Sequence, residues 1–113
     1  MTIDSGATPV LETAGVLARM QELRRSFHRR PELAYEEVET AGTIIAELDR
    51  LGIPYEYGGK GGGVVGRLEG TGSGPRIALR AEMDALPCSE ETGLPFASAV
   101  PGCMHACGHD AHM

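Results

Sequence analysis

The stretch EEVETAGTIIAELDRLGIPYEY, residues 36–57, decides the fold because a helix signal gives way to a strand signal within it. Apolar residues recur every three or four positions from Glu36 to Leu51, which predicts a helix with one apolar face. This stripe consists of Val38, Ala41, Ile44, Ile45, Leu48 and Leu51. Gly52 is the predicted left-handed end of the helix, and Pro54 lies just beyond it. The pattern then predicts a short strand over residues 55–57.

The regions on either side of this stretch extend the same pattern. Upstream, a first helix is predicted from Pro9 to Pro31, since a proline cannot continue the helical ladder. Its apolar stripe consists of Val10, Ala14, Leu17, Met20, Leu23 and Phe27. Downstream, strands are predicted at 64–69 and 76–80, the second containing the apolar run Ile77-Ala78-Leu79 that is typical of a buried strand. Helices followed by strands predict an α/β layer fold.

The composition limits the classes of function. A chain of 113 residues allows one domain at most. A net charge of −6 argues against nucleic-acid binding, which needs a basic patch, and no apolar run is long enough to span a membrane. Three cysteines are an odd number and give no basis for a disulfide framework, which favours a reducing, cytoplasmic location.

The densest group of reactive side chains is CMHACGHDAH, residues 103–112, in which six of ten residues are Cys, His or Asp. Thiolate and imidazole are the ligands that suit zinc and related metals. Two geometries are open. On a helix, three histidines would share one face: His105, His109 and His112. In an extended loop, Cys107 and His109 would point together across Gly108. Because the chain ends inside this group, it is expected to be the N-terminal part of a longer protein.

Two acids form a second candidate site. Glu82 and Asp84 come just after the predicted strand at 76–80, and ligands of open α/β sheets bind at the carboxyl ends of strands. Alternate residues of an extended chain point the same way, so both acids could face one site. The alternative is that they are ordinary solvated loop acids. His28, near the end of the first helix, is expected to have a structural role, and Cys88 is expected to be inert.

Three blocks together resemble one enzyme family. They are RSFHRRPEL at 25–33, LRAEMDALP at 79–87 and MHACGHDAH at 104–112. In order and separation they are similar to the start of metallopeptidase family twenty, in its aminoacylase, hippurate hydrolase and auxin-conjugate amidohydrolase branch. The resemblance implies an α/β catalytic domain with helices packed on a mixed sheet. Residues 1–113 would be the N-terminal portion of that domain, without the family's inserted dimerisation or lid domain.

The resemblance also implies a site and a reaction. Cys107 and His109 match metal ligands of a centre that holds two divalent ions, zinc or manganese. Asp84 matches the acid that orients this centre, whereas Glu82 departs from the usual Asp. The reaction implied is hydrolysis of the amide bond of N-acyl amino acids, which are small-molecule substrates, by a homodimer or homo-oligomer. The family's general base and remaining ligands lie further along the chain than Met113, so the 113 residues alone are expected to be inactive.

A different class of function stays open beside this one. The chain could be a small, non-catalytic zinc-binding module with a closed site of four ligands. Those ligands would be His105, Cys107, His109 and His112.

Overall fold

The structure is a computed structural model that describes residues 10–113, with side chains described from residue 14 onward. Its elements are, in chain order, α1 (Val10–Arg29), α2 (Val38–Leu51), β1 (Tyr55–Tyr57), β2 (Val64–Gly66) and α3 (His109–His112). The strands β1 and β2 pair in antiparallel fashion, with Tyr55 opposite Gly66. Helices combined with a sheet confirm the α/β class. Among the described residues, no helix combines the length and the apolar character that crossing a bilayer requires.

Helix α1 ends at Arg29, two residues before the proline that was expected to end it. Its predicted start, Pro9, lies outside the described residues. Of its apolar stripe, Phe27 is buried, whereas Leu17 and Met20 remain half exposed. Among the described side chains of α1, burial is limited to the C-terminal end, and α1 contacts α3.

Helix α2 begins at Val38, two residues later than expected, because a distant carboxylate caps it. Glu32 Oε2 accepts hydrogen bonds from the amides of Val38 and Glu39 at 3.1 Å each, and Oε1 accepts from the Thr40 amide at 2.6 Å. The first amides of any helix have no partner within the helix, so this carboxylate does the work of a local capping residue. Burial acts to raise the pKa of Glu32, but these hydrogen bonds outweigh it and hold the pKa below its ordinary value.

We expect Glu32→Ala to lower the free energy of unfolding by about 0.5–2 kcal/mol at neutral pH, the usual cost of a lost cap. Because the folded-state pKa of Glu32 is depressed, its stabilisation is present above the ordinary carboxyl pKa of 4.5 and is lost as the pH falls through the lower folded value. Urea unfolding followed by circular dichroism at several pH values measures the difference between variant and wild type. A difference that stayed constant into strong acid would show that the charged carboxylate is not the cap.

The hairpin between β1 and β2 turns through the glycine-rich residues 58–63. The amide of Gly58 donates to the carbonyl of Gly63 at 3.0 Å, which closes the loop. A Cβ atom at Gly62 would lie 2.6 Å from the Gly58 carbonyl oxygen, so no larger residue fits there without movement. The strand β2 ends at Gly66, three residues before the predicted end at Glu69.

The predicted strand at 76–80 is wrong for the described residues. No strand forms there, and Ile77 and Leu79 are 86% and 98% exposed instead of buried. A strand requires a neighbour that pairs with its backbone amides and carbonyls. None of residues 10–113 pairs with this segment as a strand, so the expected mixed sheet is represented only by the antiparallel hairpin.

Candidate metal centre

The three family-like blocks meet through backbone hydrogen bonds. The Ala85 amide donates to the Glu32 carbonyl at 2.8 Å, which joins the first block to the second. Leu86 and Met104 exchange two hydrogen bonds, of 2.9 and 3.0 Å, which join the second block to the third. Segments far apart in the sequence therefore hold Asp84 beside the loop that leads into α3. The intervening residues 84–104 form no helix and no strand.

The His109 ring is oriented by Asp84. Its Nδ1 lies 2.8 Å from the backbone oxygen of Asp84 and 3.0 Å from the carboxylate Oδ1. A carbonyl oxygen can only accept, so Nδ1 carries the hydrogen and donates it. In the neutral ring the lone pair then resides on Nε2. A metal-binding histidine characteristically donates its other ring N–H to a carboxylate or a backbone carbonyl, so His109 fits the role of a metal ligand.

Cys107 lies immediately before the turn that starts α3. Its thiol is free and the residue is exposed. Gly108, with a φ of 85°, adopts the left-handed conformation that reverses the chain between Cys107 and His109. Because α3 begins only at His109, His105 lies outside it and the histidines do not form one helical stripe. The helical geometry considered from the sequence is therefore not adopted, since His105 and Cys107 precede the helix.

The closed site of four ligands is not assembled. Among the side chains described, no group of three or more His, Cys, Asp and Glu residues is arranged to hold a metal ion. His105 is 4% exposed, and neither of its ring nitrogens has a hydrogen-bond partner in the described structure. Burial lowers the pKa of His105, which favours the neutral ring. His112 is exposed, on α3, with its ring centroid 6.4 Å from that of His109.

The two acids predicted to share a site have different partners. Asp84 contacts His109, whereas Glu82 lies 3.6 Å from Arg80 on a solvent-facing segment. For Glu82 the interpretation as a solvated loop acid is therefore the better description.

The other two cysteines lie outside the candidate centre. Cys88 is an exposed free thiol, and burial raises the pKa of the Cys103 thiol.

A buried cluster of ionisable side chains lies behind α3, and sequence reasoning missed most of it. His28 Nδ1 lies 2.8 Å from Asp110 Oδ2, and His28 Nε2 lies 2.9 Å from Glu90 Oε1. All three side chains are less than one tenth exposed. The structural role expected for His28 agrees with these contacts. Asp110 could have been suspected from its place next to His109, but Glu90 has no sequence signal that separates it from other loop acids.

Fold and site together describe an α/β chain that carries part of a candidate metal centre. Residues 78–113 match the family model described as "Peptidase family M20/M25/M40". This match covers the second and third of the three sequence blocks and agrees with the family that they resemble.

Named relatives and a solved structure agree with this family. The chain is 48% identical over 98 residues to "Putative amidohydrolase YhaA" of Bacillus subtilis, covering 87% of this chain and 25% of that protein. It is 53% identical over 93 residues to "IAA-amino acid hydrolase ILR1-like 4" of Arabidopsis thaliana, covering 82% and 21%. The crystal structure of the Bacillus subtilis YXEP protein, described as "a Dinuclear Metal Binding Peptidase from M20 Family", has a TM-score of 0.78 and 46% identity, covering 82% and 26%. The chain thus spans about a quarter of the length of the relatives it matches.

Proposed function

We propose that this chain is the N-terminal part of the catalytic domain of a metal-dependent hydrolase that cleaves the amide bond of N-acyl amino acids. The observation that carries the proposal is the hydrogen bond from His109 Nδ1 to the backbone oxygen of Asp84, at 2.8 Å. This bond leaves Nε2 available to a metal. The names of similar proteins, an amidohydrolase and an amino acid conjugate hydrolase, support the choice of an amide bond.

Each residue of the candidate centre has a distinct role in this proposal. Cys107 and His109 bind a dinuclear centre of zinc or manganese, and Asp84 orients the imidazole of His109. Metal ions bound there supply Lewis-acid activation of a water molecule and of the substrate carbonyl. The partly exposed position of Asp84 and His109 leaves them within reach of a small-molecule substrate.

The same reasoning limits what the 113 residues do alone. A catalytic zinc site uses about three protein ligands and keeps one position open. Two ligands for a centre of two ions are too few, so the isolated chain binds metal weakly and does not hydrolyse amides. In the whole protein we propose a cytoplasmic homodimer or homo-oligomer with no nucleic-acid or membrane partner.

A chimera tests the proposed function directly. The part of this chain that aligns with the Bacillus subtilis YXEP protein replaces the matching 26% of that protein, which keeps its own remaining residues. We expect the metal-loaded chimera to hydrolyse N-acyl amino acids and the 113-residue chain to be inactive in the same assay. A chimera that folds and binds metal, yet cleaves no member of an N-acyl amino acid panel, would rule out the proposed reaction. Activity of the short chain at a comparable rate would rule out its proposed incompleteness.

Cobalt spectroscopy on the 113-residue chain tests the thiol ligand. We expect Co²⁺ to bind weakly and to produce a sulfur-to-metal charge-transfer band, because a thiolate is the ligand of this chain that gives one. Cys107→Ser should remove the band. Cys88→Ser and Cys103→Ser are matched controls that should retain the band. Cys88 is exposed but lies outside the candidate centre, and the Cys103 thiol is buried.

The same titration separates the two classes of function. Tight binding with a tetrahedral spectrum that His105→Ala or His112→Ala abolishes would support a closed zinc-binding module. A band that survives Cys107→Ser would contradict both proposals.

A further inference from the structure

We propose that His28 is a positioning residue for the candidate metal centre, in that its contact with Asp110 fixes α3 and thereby keeps the His109 ring on Asp84. The inference rests on the proposed function only for the metal-binding role of His109. The contacts themselves belong to the described structure.

Helix α3 is too short to be stable by itself. It has four residues, whereas isolated helices shorter than about 12 residues are marginal in water. Its conformation must therefore be imposed by tertiary contacts. Two such contacts come from neighbouring residues of its first turn: His109 Nδ1 lies on Asp84, and Asp110 Oδ2 lies on His28 Nδ1 at 2.8 Å. One contact joins His109 to Asp84, and the other joins Asp110 to His28. Together they fix the rotation of α3 about its own axis.

The contact between His28 and Asp110 is the more buried of the two. The Asp110 side chain is 1% exposed and that of His28 is 6% exposed, while Asp84 is 30% exposed. A hydrogen bond to a charged group is stronger than one between neutral groups, and burial increases the cost of breaking it. The His28 contact spans 82 residues of sequence and connects α3 to the end of α1.

The His28 ring is itself held in place from several sides. Its Nε2 lies 2.9 Å from Glu90 Oε1, and the Glu90 carboxylate accepts hydrogen bonds from the Ser98 amide at 2.8 Å and from the Thr92 hydroxyl. Burial acts to raise the pKa of Glu90, but its hydrogen bonds and the contact with His28 outweigh it and hold the pKa below the ordinary value. Phe96 packs edge-on against the imidazole, with ring centroids 5.6 Å apart. A ring fixed in this way can hold Asp110, and with it α3, in one position.

Two substitutions at His28 separate its two contacts. His28→Asn places an amide NH₂ close to the position of Nδ1 and can keep the hydrogen bond to Asp110. His28→Gln places its amide close to the position of Nε2, so it can keep the contact with Glu90 while losing the one with Asp110. Both variants remove the same ring, so they are matched controls for general loss of packing.

The measurement is nitrogen NMR of the histidine rings in the metal-free, 113-residue chain, which reports which nitrogen carries the hydrogen. In the wild type and in His28→Asn we expect His109 to show the Nδ1–H form. In His28→Gln we expect this signal to be lost or averaged with the Nε2–H form, although circular dichroism still shows a folded chain. Arg50→Ala, which removes the ion pair with Glu47 at the far end of α2, should leave the His109 signal unchanged.

Several results would overturn the proposal. If the two His28 variants alter the His109 tautomer signal equally, the effect is one of packing. If neither variant alters this signal, α3 is positioned without His28. Should His28→Gln fail to fold, Asp110→Ala provides the second test, since it removes the carboxylate that His28 Nδ1 contacts while keeping the ring and its packing on Phe96. An unchanged His109 signal in that variant would also refute the proposal. Because no metal is added, failure here is distinguishable from failure of the proposed metal site.

Discussion

Asp110→Ala is expected to lower the free energy of unfolding by about 1.5–3 kcal/mol, because it removes a hydrogen bond between a buried carboxylate and a buried imidazole. The lost carboxylate lies 2.8 Å from His28 Nδ1 and is almost completely buried. Its removal leaves a buried ring nitrogen without a partner. A domain of this size has a total stability of about 5–15 kcal/mol, so the loss is a large part of it. Urea unfolding followed by circular dichroism measures the change.

Two further variants show whether the burial of the pair explains the loss. Asp110→Asn keeps a carbonyl oxygen that accepts from His28, so we expect a smaller cost, of about 1 kcal/mol. Arg24→Ala removes a half-exposed guanidinium 3.5 Å from Asp110, and because solvent screens this guanidinium we expect a cost of about 1 kcal/mol at most. If Asp110→Ala cost no more than Arg24→Ala, the buried pair would have no special importance for stability.

The elements that sequence reasoning predicted well are those whose signals are local. The apolar stripe of α2 and Gly52 with its φ of 68° lie within a few residues of the backbone that they determine. The predicted strand at 76–80 failed because a strand depends on a partner that its own sequence does not specify. The start of α2 was misplaced for a similar reason, since Glu32 caps the helix from six to eight residues away.

In the candidate site, too, the residues that could be predicted are those with a local sequence signal. Cys107 and His109 stand out because chemically distinctive residues are dense in one short stretch, and the resemblance to a family distinguished Asp84 from its neighbour Glu82. That Asp84 contacts His109 directly depends on the pairing of Leu86 with Met104, which is not visible in either segment alone. The cluster behind α3 escaped prediction because Glu90 is buried only by the path of an irregular loop, and loop acids are usually exposed.

His109→Ala in the chimera with the Bacillus subtilis protein is expected to reduce kcat/KM by at least about 10³-fold. A catalytic metal contributes several kcal/mol of transition-state stabilisation, and each 1.36 kcal/mol corresponds to a factor of ten in rate. His112→Ala is the matched control, because His112 lies on the same short helix and is exposed, so its loss should change the rate little. Steady-state assays on one N-acyl amino acid, with metal content measured for each variant, make the comparison. Equal losses in the two variants would mean that α3 as a whole, rather than the imidazole that Asp84 orients, is what the reaction requires.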